Sequence, residues 1–310
     1  MTQLDLGPGE TTGQPAGSPV RVSPGSRTGL GALGELAGLV ARGRVVVLSG
    51  AGLSTDSGIP DYRGPTGLAR RATPMSYQAF AGSAAARRRY WARSHHGWRH
   101  IAGAVPNAGH RAVAQLQRLG AVTAIITQNV DGLHQKAGAR DVVELHGSLH
   151  RVRCLDCGAV TPRSELDQRL RAANPGWIAA GGEPGVRPDG DAVVTDAEAE
   201  RFATVCCRDC GGVLKPDVVF FGENVPRDRV ARCYSLTEAA GCLLVLGSSL
   251  TVMSGYRFVR HAAKRRIPVA IVNQGPTRGD EHALLRLDAP LGVALPALAA
   301  TLRQIPAGVE

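Results

Sequence analysis

Aromatic side chains are scarce in this chain, at 4 % of 310 residues, so its core has to be built mainly from Val, Leu, Ile and Ala. Long apolar runs are missing as well. The longest, such as residues 45–48 and 242–246, fall far short of the about 20 residues that cross a bilayer as a helix. That argues against a helical membrane protein. The first twenty residues have neither a basic start nor an apolar stretch, so no secretory signal is expected, and Arg is too sparse there for a mitochondrial presequence. Residues 1–29 are instead rich in Gly, Pro and Ser, and read as a disordered tail. An excess of acid is absent too: the net charge is +10, which points to nucleic acid, anionic lipid or a polyphosphate cofactor. The basic residues are spread along the chain, with small clusters only at Arg70, Arg71 and Arg87 to Arg89. A solvated, arginine-rich exterior is therefore favoured over a nucleic-acid surface. The abundance of Ala, Gly and Arg suggests a GC-rich bacterial genome, and a cytoplasmic protein is expected.

Seven cysteines are present, an odd number clustered as two close pairs, which suits a metal better than a secreted disulfide framework. Cys154-Leu-Asp-Cys157 and Cys207-Arg-Asp-Cys210 are two Cys-x-x-Cys knuckles, each followed at once by Gly. Two such turns supply the four thiolates of a tetrahedral zinc site, and four sulfurs leave no open position for water. One structural zinc is expected, with a redox pair as the weaker alternative. Cys206 makes the second knuckle ambiguous, but Cys207 keeps the two-residue spacing. Cys233 and Cys242 read as ordinary buried thiols.

Hydropathy patterning implies an α/β fold. Leu33, Leu36, Ala37 and Val40 recur at helical spacing. Continuous apolar runs at residues 44–50, 121–127, 142–145, 242–247 and 267–273 read as strands buried on both faces, as in a parallel sheet. Helical patterns at residues 110–119 and 257–265 separate some of them, so a Rossmann-like doubly wound sheet is expected. Two stretches break the alternation. Residues 65–105 carry helix-like patterns only, and residues 148–217 hold both knuckles and a polar loop at 181–191. The expected organisation is a Rossmann-like domain from residues 30–64, 106–147 and 218–310. A helical module (65–105) and a zinc-ribbon module (148–217) would together form a smaller inserted domain.

Chemistry-bearing residues gather at strand ends. Gly50-Ala51-Gly52-Leu-Ser-Thr55 follows the first buried strand, where glycines permit a tight turn and close approach to a pyrophosphate at a helix N-terminus. Thr55 replaces the third glycine of the dehydrogenase fingerprint, and no strand with a ribose-binding acid follows about 20 residues on. A dinucleotide is plausible here, but ordinary hydride transfer is not. Thr127-Gln128-Asn129-Val-Asp131 lies at the end of a second strand, at the edge where such sheets bind ligands, though Asn and Asp also form turns. His146 follows a third strand. It reads either as a structural histidine or as a general base, for which an ordinary pKa near 6.5 is suitable.

In order and spacing these motifs resemble the sirtuin family over roughly residues 30 to 305. The carriers are Gly50-Ala-Gly-Leu-Ser, Gly58-Ile-Pro-Asp61-Tyr62-Arg63, the run from Thr127 to Asp131, His146-Gly, both knuckles, Phe221-Gly222-Glu, Gly247-Ser248-Ser249-Leu250 and Asn273-Gln274-Gly275. The resemblance implies NAD as a consumed co-substrate and acyl-lysine proteins as partners. It implies that Gly50, Ala51, Gly52, Asp61, Tyr62 and Arg63 hold the pyrophosphate and nicotinamide ribose. Gln128, Asn129 and Asp131 would line the nicotinamide and ribose pocket, with Asn129 also counted as catalytic. Gly247, Ser248, Ser249, Asn273, Gln274, Gly275 and Leu291 would contact adenosine, and His146 would be the general base. Val219, Phe220, Phe221 and Gly222 would pair with a substrate peptide by strand addition. In the implied chemistry the acyl oxygen attacks C1′ of the nicotinamide ribose and expels nicotinamide. His146 then deprotonates a ribose hydroxyl that attacks the alkylimidate carbon, and hydrolysis yields lysine and O-acyl-ADP-ribose.

The segments around Leu214, Tyr90, Ser254 and Gly275 look most like the class II branch, which includes lipoamidase and ADP-ribosyltransferase members. Tyr90 and Arg93 share the spacing by which another branch grips succinyl groups, so a carboxylated acyl chain stands as an alternative to acetyl, and two surface residues as the plainer reading. Mono-ADP-ribosyl transfer is the rival within the chemistry. A zinc-ribbon binding module is the rival outside it, but it leaves Asn129, Asp131 and His146 unexplained.

Overall fold

Strands that are apolar on both faces need a helical layer on each side, and the chain provides two. The computed structural model describes residues 29–61, 74–177 and 194–304. The segment before Gly29, Tyr62, Arg63, the pair Arg70 and Arg71, and the loop at 181–191 lie outside the described residues. The first half runs α1 (Gly29–Ala41), β1 (Val45–Ser49), α2 (Tyr77–Gly82), α3 (Ala84–Gly103), α4 (Ala108–Arg118), β2 (Val122–Thr127), α5 (Leu133–Lys136) and β3 (Val142–Glu144). There follow β4 (Gly147–Cys154), β5 (Val160–Pro162), α6 (Arg163–Ala173), α7 (Asp196–Glu200) and β6 (Leu214–Val218). The chain ends with α8 (Arg227–Ala239), β7 (Cys242–Leu246), α9 (Met253–Lys264), β8 (Val269–Val272), β9 (Leu285–Leu287) and α10 (Leu291–Gln304).

Six parallel strands lie in the order β3-β2-β1-β7-β8-β9. The order turns back on itself between β1 and β7, and the crevice at such a switch point is where doubly wound sheets take ligands. One face of the sheet packs Val45, Val47, Leu244 and Leu246 against Leu36, Val113, Leu116, Leu295 and Leu298. The other packs Val46, Leu48, Leu243 and Val245 against Cys233, Phe258 and Val259. Cys233 and Cys242 are buried thiols. Three details differ from the sequence reading. Helix α1 begins at Gly29, inside the expected tail. Strand β9 was not anticipated, because its three residues are half exposed at the sheet edge. Strand β6 runs across the boundary drawn at residue 218.

The few aromatic residues are concentrated away from the sheet. Phe80, Tyr90, Trp91, Phe202 and Phe220 share one cluster with Val152, Leu166 and Leu214, bringing α2, α3, α6 and α7 against the small antiparallel sheet β5-β4-β6. Arg163 is buried there, its guanidinium 5.4 Å from the Trp91 ring and 5.1 Å from the Trp98 ring. Burial lowers its pKa to about 10, against the pull of Asp167. Asp167 also meets His95 at 2.9 Å and Arg171. Its burial is outweighed by these partners, which hold its pKa at about 2. Removing one member of a buried charge cluster strands the others, so Asp167→Ala is expected to cost about 3–5 kcal/mol in urea unfolding. A loss below about 1 kcal/mol would mean that the buried arginine is satisfied by Ser94 O and the indole rings without Asp167.

Candidate active site

The strand ends at the switch point are tied to one another by their own backbone. Gly50 N donates to Leu246 O, Gly52 N to Gly247 O and Gln128 N to Ser49 O, each at 2.9 Å, and Gly247 N donates to Val272 O at 3.0 Å. The glycines serve this contact. A Cβ at Gly50 would stand 2.7 Å from Ser248 Cβ, and one at Gly52 would stand 3.0 Å from Gly247 O. Gly247 has φ +58 and its own Cβ would meet Leu291 Cδ1 at 2.7 Å. Asn107 locks the loop from behind, its Nδ2 donating to Leu53 O at 2.7 Å while its Oδ1 caps α4.

What the loops leave over is a set of donors. Among the described residues, the backbone N–H groups of Ala51, Ser248 and Ser249 have no acceptor. Ala51 opens a 3-10 turn, and buried or half-buried N–H groups without partners suit an anion. These residues therefore fit a dinucleotide pyrophosphate. The Asn273 amide is spent within its own turn, donating to Gln274 O at 2.8 Å and Gly275 O at 3.0 Å, so it shapes that loop instead of reaching outward.

A cavity of about 250 Å³ opens beside the glycine loop. Ala51, Ser54, Gln128, Asn129, Asp131 and His146 line one wall, and Tyr90, Val219, Phe220, Phe221 and Gly222 line the other. Gly247, Ser248, Ser249, Asn273, Gln274, Gly275 and Leu291 lie farther along the same sheet edge, outside this cavity. Asp61 is half-buried and does not line it, although Ile59 and Pro60 do. Tyr90 is 2 % exposed and packs edge-on against Phe80, 5.4 Å away. Arg93, half-buried on the same helix, is absent from the cavity wall.

The polar wall is wired. Asn129 Nδ2 donates to Gly50 O and to Ser54 Oγ, both at 3.0 Å, and Ser54 Oγ donates to Asp131 Oδ2 at 2.7 Å. Asp131 is 6 % exposed and also accepts from Leu133 N. Burial raises its pKa, while these two hydrogen bonds pull the other way. Each of its oxygens accepts one hydrogen bond, and Ser54 links it to Asn129 on the same wall.

His146 is held from two sides. Its Nδ1 lies 2.9 Å from Gln128 O and its Nε2 2.8 Å from Ser254 Oγ. A carbonyl only accepts, so Nδ1 carries the hydrogen and Nε2 presents a lone pair, which accepts the Ser254 hydroxyl. Desolvation lowers the pKa to about 4, with the charge of Arg229 acting in the same direction and the Gln128 bond opposing it. His146 is thus neutral at neutral pH and able to take a proton at Nε2. Ser54 and Ser254 were missed as site residues in the sequence. Ser254 lies 108 positions from its partner, and no local pattern pairs them.

Behind this wall sit two further histidines. His134 Nε2 meets Ser49 Oγ at 2.9 Å, and the His110 ring lies 5.2 Å from the His134 ring. Burial lowers His134 to about 4 and His110 to about 3, the latter helped by its neighbour. The unfolded chain binds these protons near pH 6.5, and the folded chain only near pH 4 and below. Stability is therefore expected to fall by several kcal/mol as the pH drops from about 6.5 to about 4. Urea midpoints across that range check this, and His110→Phe should flatten the slope.

The cysteines meet across knuckles. Cys154 Sγ lies 3.5 Å from Cys210 Sγ and Cys157 Sγ 3.8 Å from Cys207 Sγ, with all four within 4.8 Å of one another. Tetrahedral zinc with about 2.3 Å bonds puts its sulfurs about 3.8 Å apart, so the four residues fit one structural zinc. Gly158 and Gly211 take φ +76 and +73, which explains the glycine after each knuckle. Cys206 is exposed and outside the cluster.

Comparison with known proteins agrees with this arrangement. The Sir2 family model matches residues 50–254, more than half of the chain. A relative from Streptomyces coelicolor, named NAD-dependent protein deacetylase 1, is 59 % identical over 269 residues, covering 86 % of this chain and 89 % of the relative. One from Mycobacterium avium, of the same name, is 54 % identical over 275 residues, covering 88 % and 96 %. A solved Sir2 structure with a p53 peptide and NAD superposes with a TM-score of 0.69 at 29 % identity, covering 86 % of this chain and 97 % of that one. The chain belongs to the Sir2 family, the sirtuins.

Proposed function

We propose that this protein removes acyl groups from protein lysine side chains, consuming NAD and releasing nicotinamide and O-acyl-ADP-ribose. The observation that carries this reading is His146, held neutral with its Nε2 lone pair at the wall of a cavity next to unpaired anion-binding N–H groups. The Streptomyces and Mycobacterium relatives are named deacetylases; neither ADP-ribosyl transfer, lipoamidase activity nor a binding-only zinc module is favoured beside them.

Each residue has a task. The N–H groups of Ala51, Ser248 and Ser249 bind pyrophosphate, and the Asn129–Ser54–Asp131 chain orients the nicotinamide and its ribose. Asp131 stabilises the cationic nicotinamide ring through that chain. Once nicotinamide has left, His146 Nε2 takes the proton of a ribose hydroxyl, exchanging its bond with Ser254 for the new one. Val219 N donates to His146 O at 2.8 Å, so the substrate lip and the base move as one unit. Cys154, Cys157, Cys207 and Cys210 would hold one zinc between the end of β4 and the start of β6, and with four sulfur ligands it would leave no open position for chemistry. We assign the helical and zinc modules to one small domain over the sheet edge, and the protein to the cytoplasm on its composition.

The acyl end of the cavity is lined by Ile59, Tyr90, Ile101, Leu149, Val218 and Phe220. That lining supports an uncharged acyl chain, acetyl first, over the succinyl alternative in which Arg93 would meet a carboxylate. The sequence around Leu214 to Glu223 supports the class II branch. Peptides bearing acetyl, succinyl, glutaryl, 3-hydroxy-3-methylglutaryl and lipoyl lysine, each mixed with NAD, test the reading by mass spectrometry. Fastest deacylation of an uncharged acyl lysine is expected. ADP-ribose attached to protein with the acyl peptide untouched would overturn it.

A further inference from the structure

The segment 251–254 beside the cavity carries positive charge that deacylation itself does not use. Val252 and Ser254 line the cavity together with Val219 to Gly222, so we take 251–254 as a second lip. Two guanidinium groups are fixed to this lip. Arg278 donates from Nη1 to Thr251 O at 3.3 Å, reaches Met253 Sδ at 3.5 Å, and stacks 4.5 Å from the Tyr256 ring centre. Arg257 donates from Nε to Met253 O at 3.3 Å. Neither makes an ion pair among the described residues. The acids nearby in the fold are occupied elsewhere. Asp280 caps Thr277 and pairs with Arg286, Glu281 accepts from Tyr256, and Glu238 pairs with His261 and Arg265. From Arg257 the charge continues along α9 through exposed Arg260 and Lys264, three and seven residues on and so on one helix face.

An arginine anchored on a carbonyl has given up much of its rotamer freedom, yet keeps N–H donors and an uncompensated charge. Placed at a rim, such a group discriminates partners and steers their approach. An acyl-lysine entering the cavity has to pass between residues 219–222 and 252–254. Its chain neighbours then run along both lips, at about 3.3 Å per residue.

We propose that Arg257 and Arg278 select protein substrates that carry Asp or Glu within about three residues of the acylated lysine. A carboxylate there meets both guanidinium groups, and a lysine there is repelled. This rests on the deacylase reading for its substrate, and an acidic protein segment fits better than nucleic acid, because among the described residues Phe221 is the one exposed large aromatic ring.

The test is binding of fluorescein-labelled acetyl-lysine peptides to the full chain without NAD, so that the readout does not depend on turnover. The peptides are identical except for Glu, Gln or Lys at the two flanking positions on each side. The Glu peptide is expected to bind about tenfold more tightly than the Lys peptide at low salt, with the ratio shrinking in about 0.5 M salt. The double variant R257Q/R278Q should bring the ratio near one, and R257K/R278K should retain part of it. NAD affinity, read by calorimetry, should stay unchanged in both. Equal binding of the three peptides by the unmodified protein would overturn the proposal, as would a ratio unaffected by R257Q/R278Q. So would a double variant that loses NAD affinity instead, or loses affinity for a 20-mer DNA duplex while the peptide ratio persists. A preserved Glu preference in a protein that never turns over NAD would uphold the rim and sink only the deacylase reading.

Discussion

His146→Tyr is expected to lower deacylation turnover by about 10²- to 10⁴-fold while the protein stays folded and retains its zinc. The size follows from what the imidazole does. Its Nδ1–H is committed to Gln128 O, so the lone pair at Nε2 is fixed in place. The group bonded to that lone pair, Ser254, is a hydroxyl and a far weaker base. Because His146 acts after nicotinamide has left, exchange of labelled nicotinamide into NAD should survive the substitution. The acid limb of kcat/KM in the unmodified enzyme should fall near pH 4, where His146 protonates, and not near 6.5. A limb at 6.5 would mean that the ring is solvated like a free imidazole. A binding module would be indifferent to the substitution, and unchanged turnover would remove His146 from the chemistry.

Loss of the zinc is the second large effect. Cys207→Ser, or a strong chelator, should empty the site, lower the melting temperature by at least about 10 °C and abolish turnover, although no zinc ligand touches the cavity. The reach of the effect lies in connectivity. Cys154 ends β4 and Leu214 begins β6, and Gly147 at the head of β4 pairs with Val218 at the foot of β6. His146 immediately precedes that pair, and the lip from Val219 to Gly222 immediately follows it. Releasing one end of this small sheet therefore loosens the base and the substrate lip together. Metal analysis alongside melting checks the prediction. A zinc-free protein with full activity and an unchanged melt would reduce the four sulfurs to a chance cluster.

The parts of the molecule that could be read in advance share a physical reason. Strands β1 and β7 are buried along their whole length and β2 everywhere but Thr123, so each stands out as a largely apolar run. The knuckles were legible because four sulfurs on one ion demand tight turns, and tight turns demand the glycines at 158 and 211. Elsewhere the pattern was weaker. Strand β4 interrupts its buried residues with half-exposed His150 and Arg151 and exposed Arg153, and β9 is three residues at an edge, so neither stands out from a loop. The glycine loop is legible as a tight turn with close backbone approach, but its spacing does not show that the space a Cβ would take at Gly50 and Gly52 is filled by Ser248 and Gly247. The serines that support Asn129 and His146 are contacts between distant segments, which periodicity does not encode. The spacing of Tyr90 and Arg93 leaves the acyl tunnel and the helix surface equally open, because a one-dimensional spacing does not show that, of the two, Tyr90 lines the cavity.

The most direct test of the account is product stoichiometry with acetyl-lysine peptide and NAD, followed by mass spectrometry over a time course. Equal amounts of nicotinamide, deacetylated peptide and O-acetyl-ADP-ribose are expected, because the acetyl group leaves lysine only by moving onto the ribose that NAD supplies. Free acetate formed while NAD stays intact would contradict it, as would NAD cleaved to nicotinamide and ADP-ribose with the peptide still acetylated.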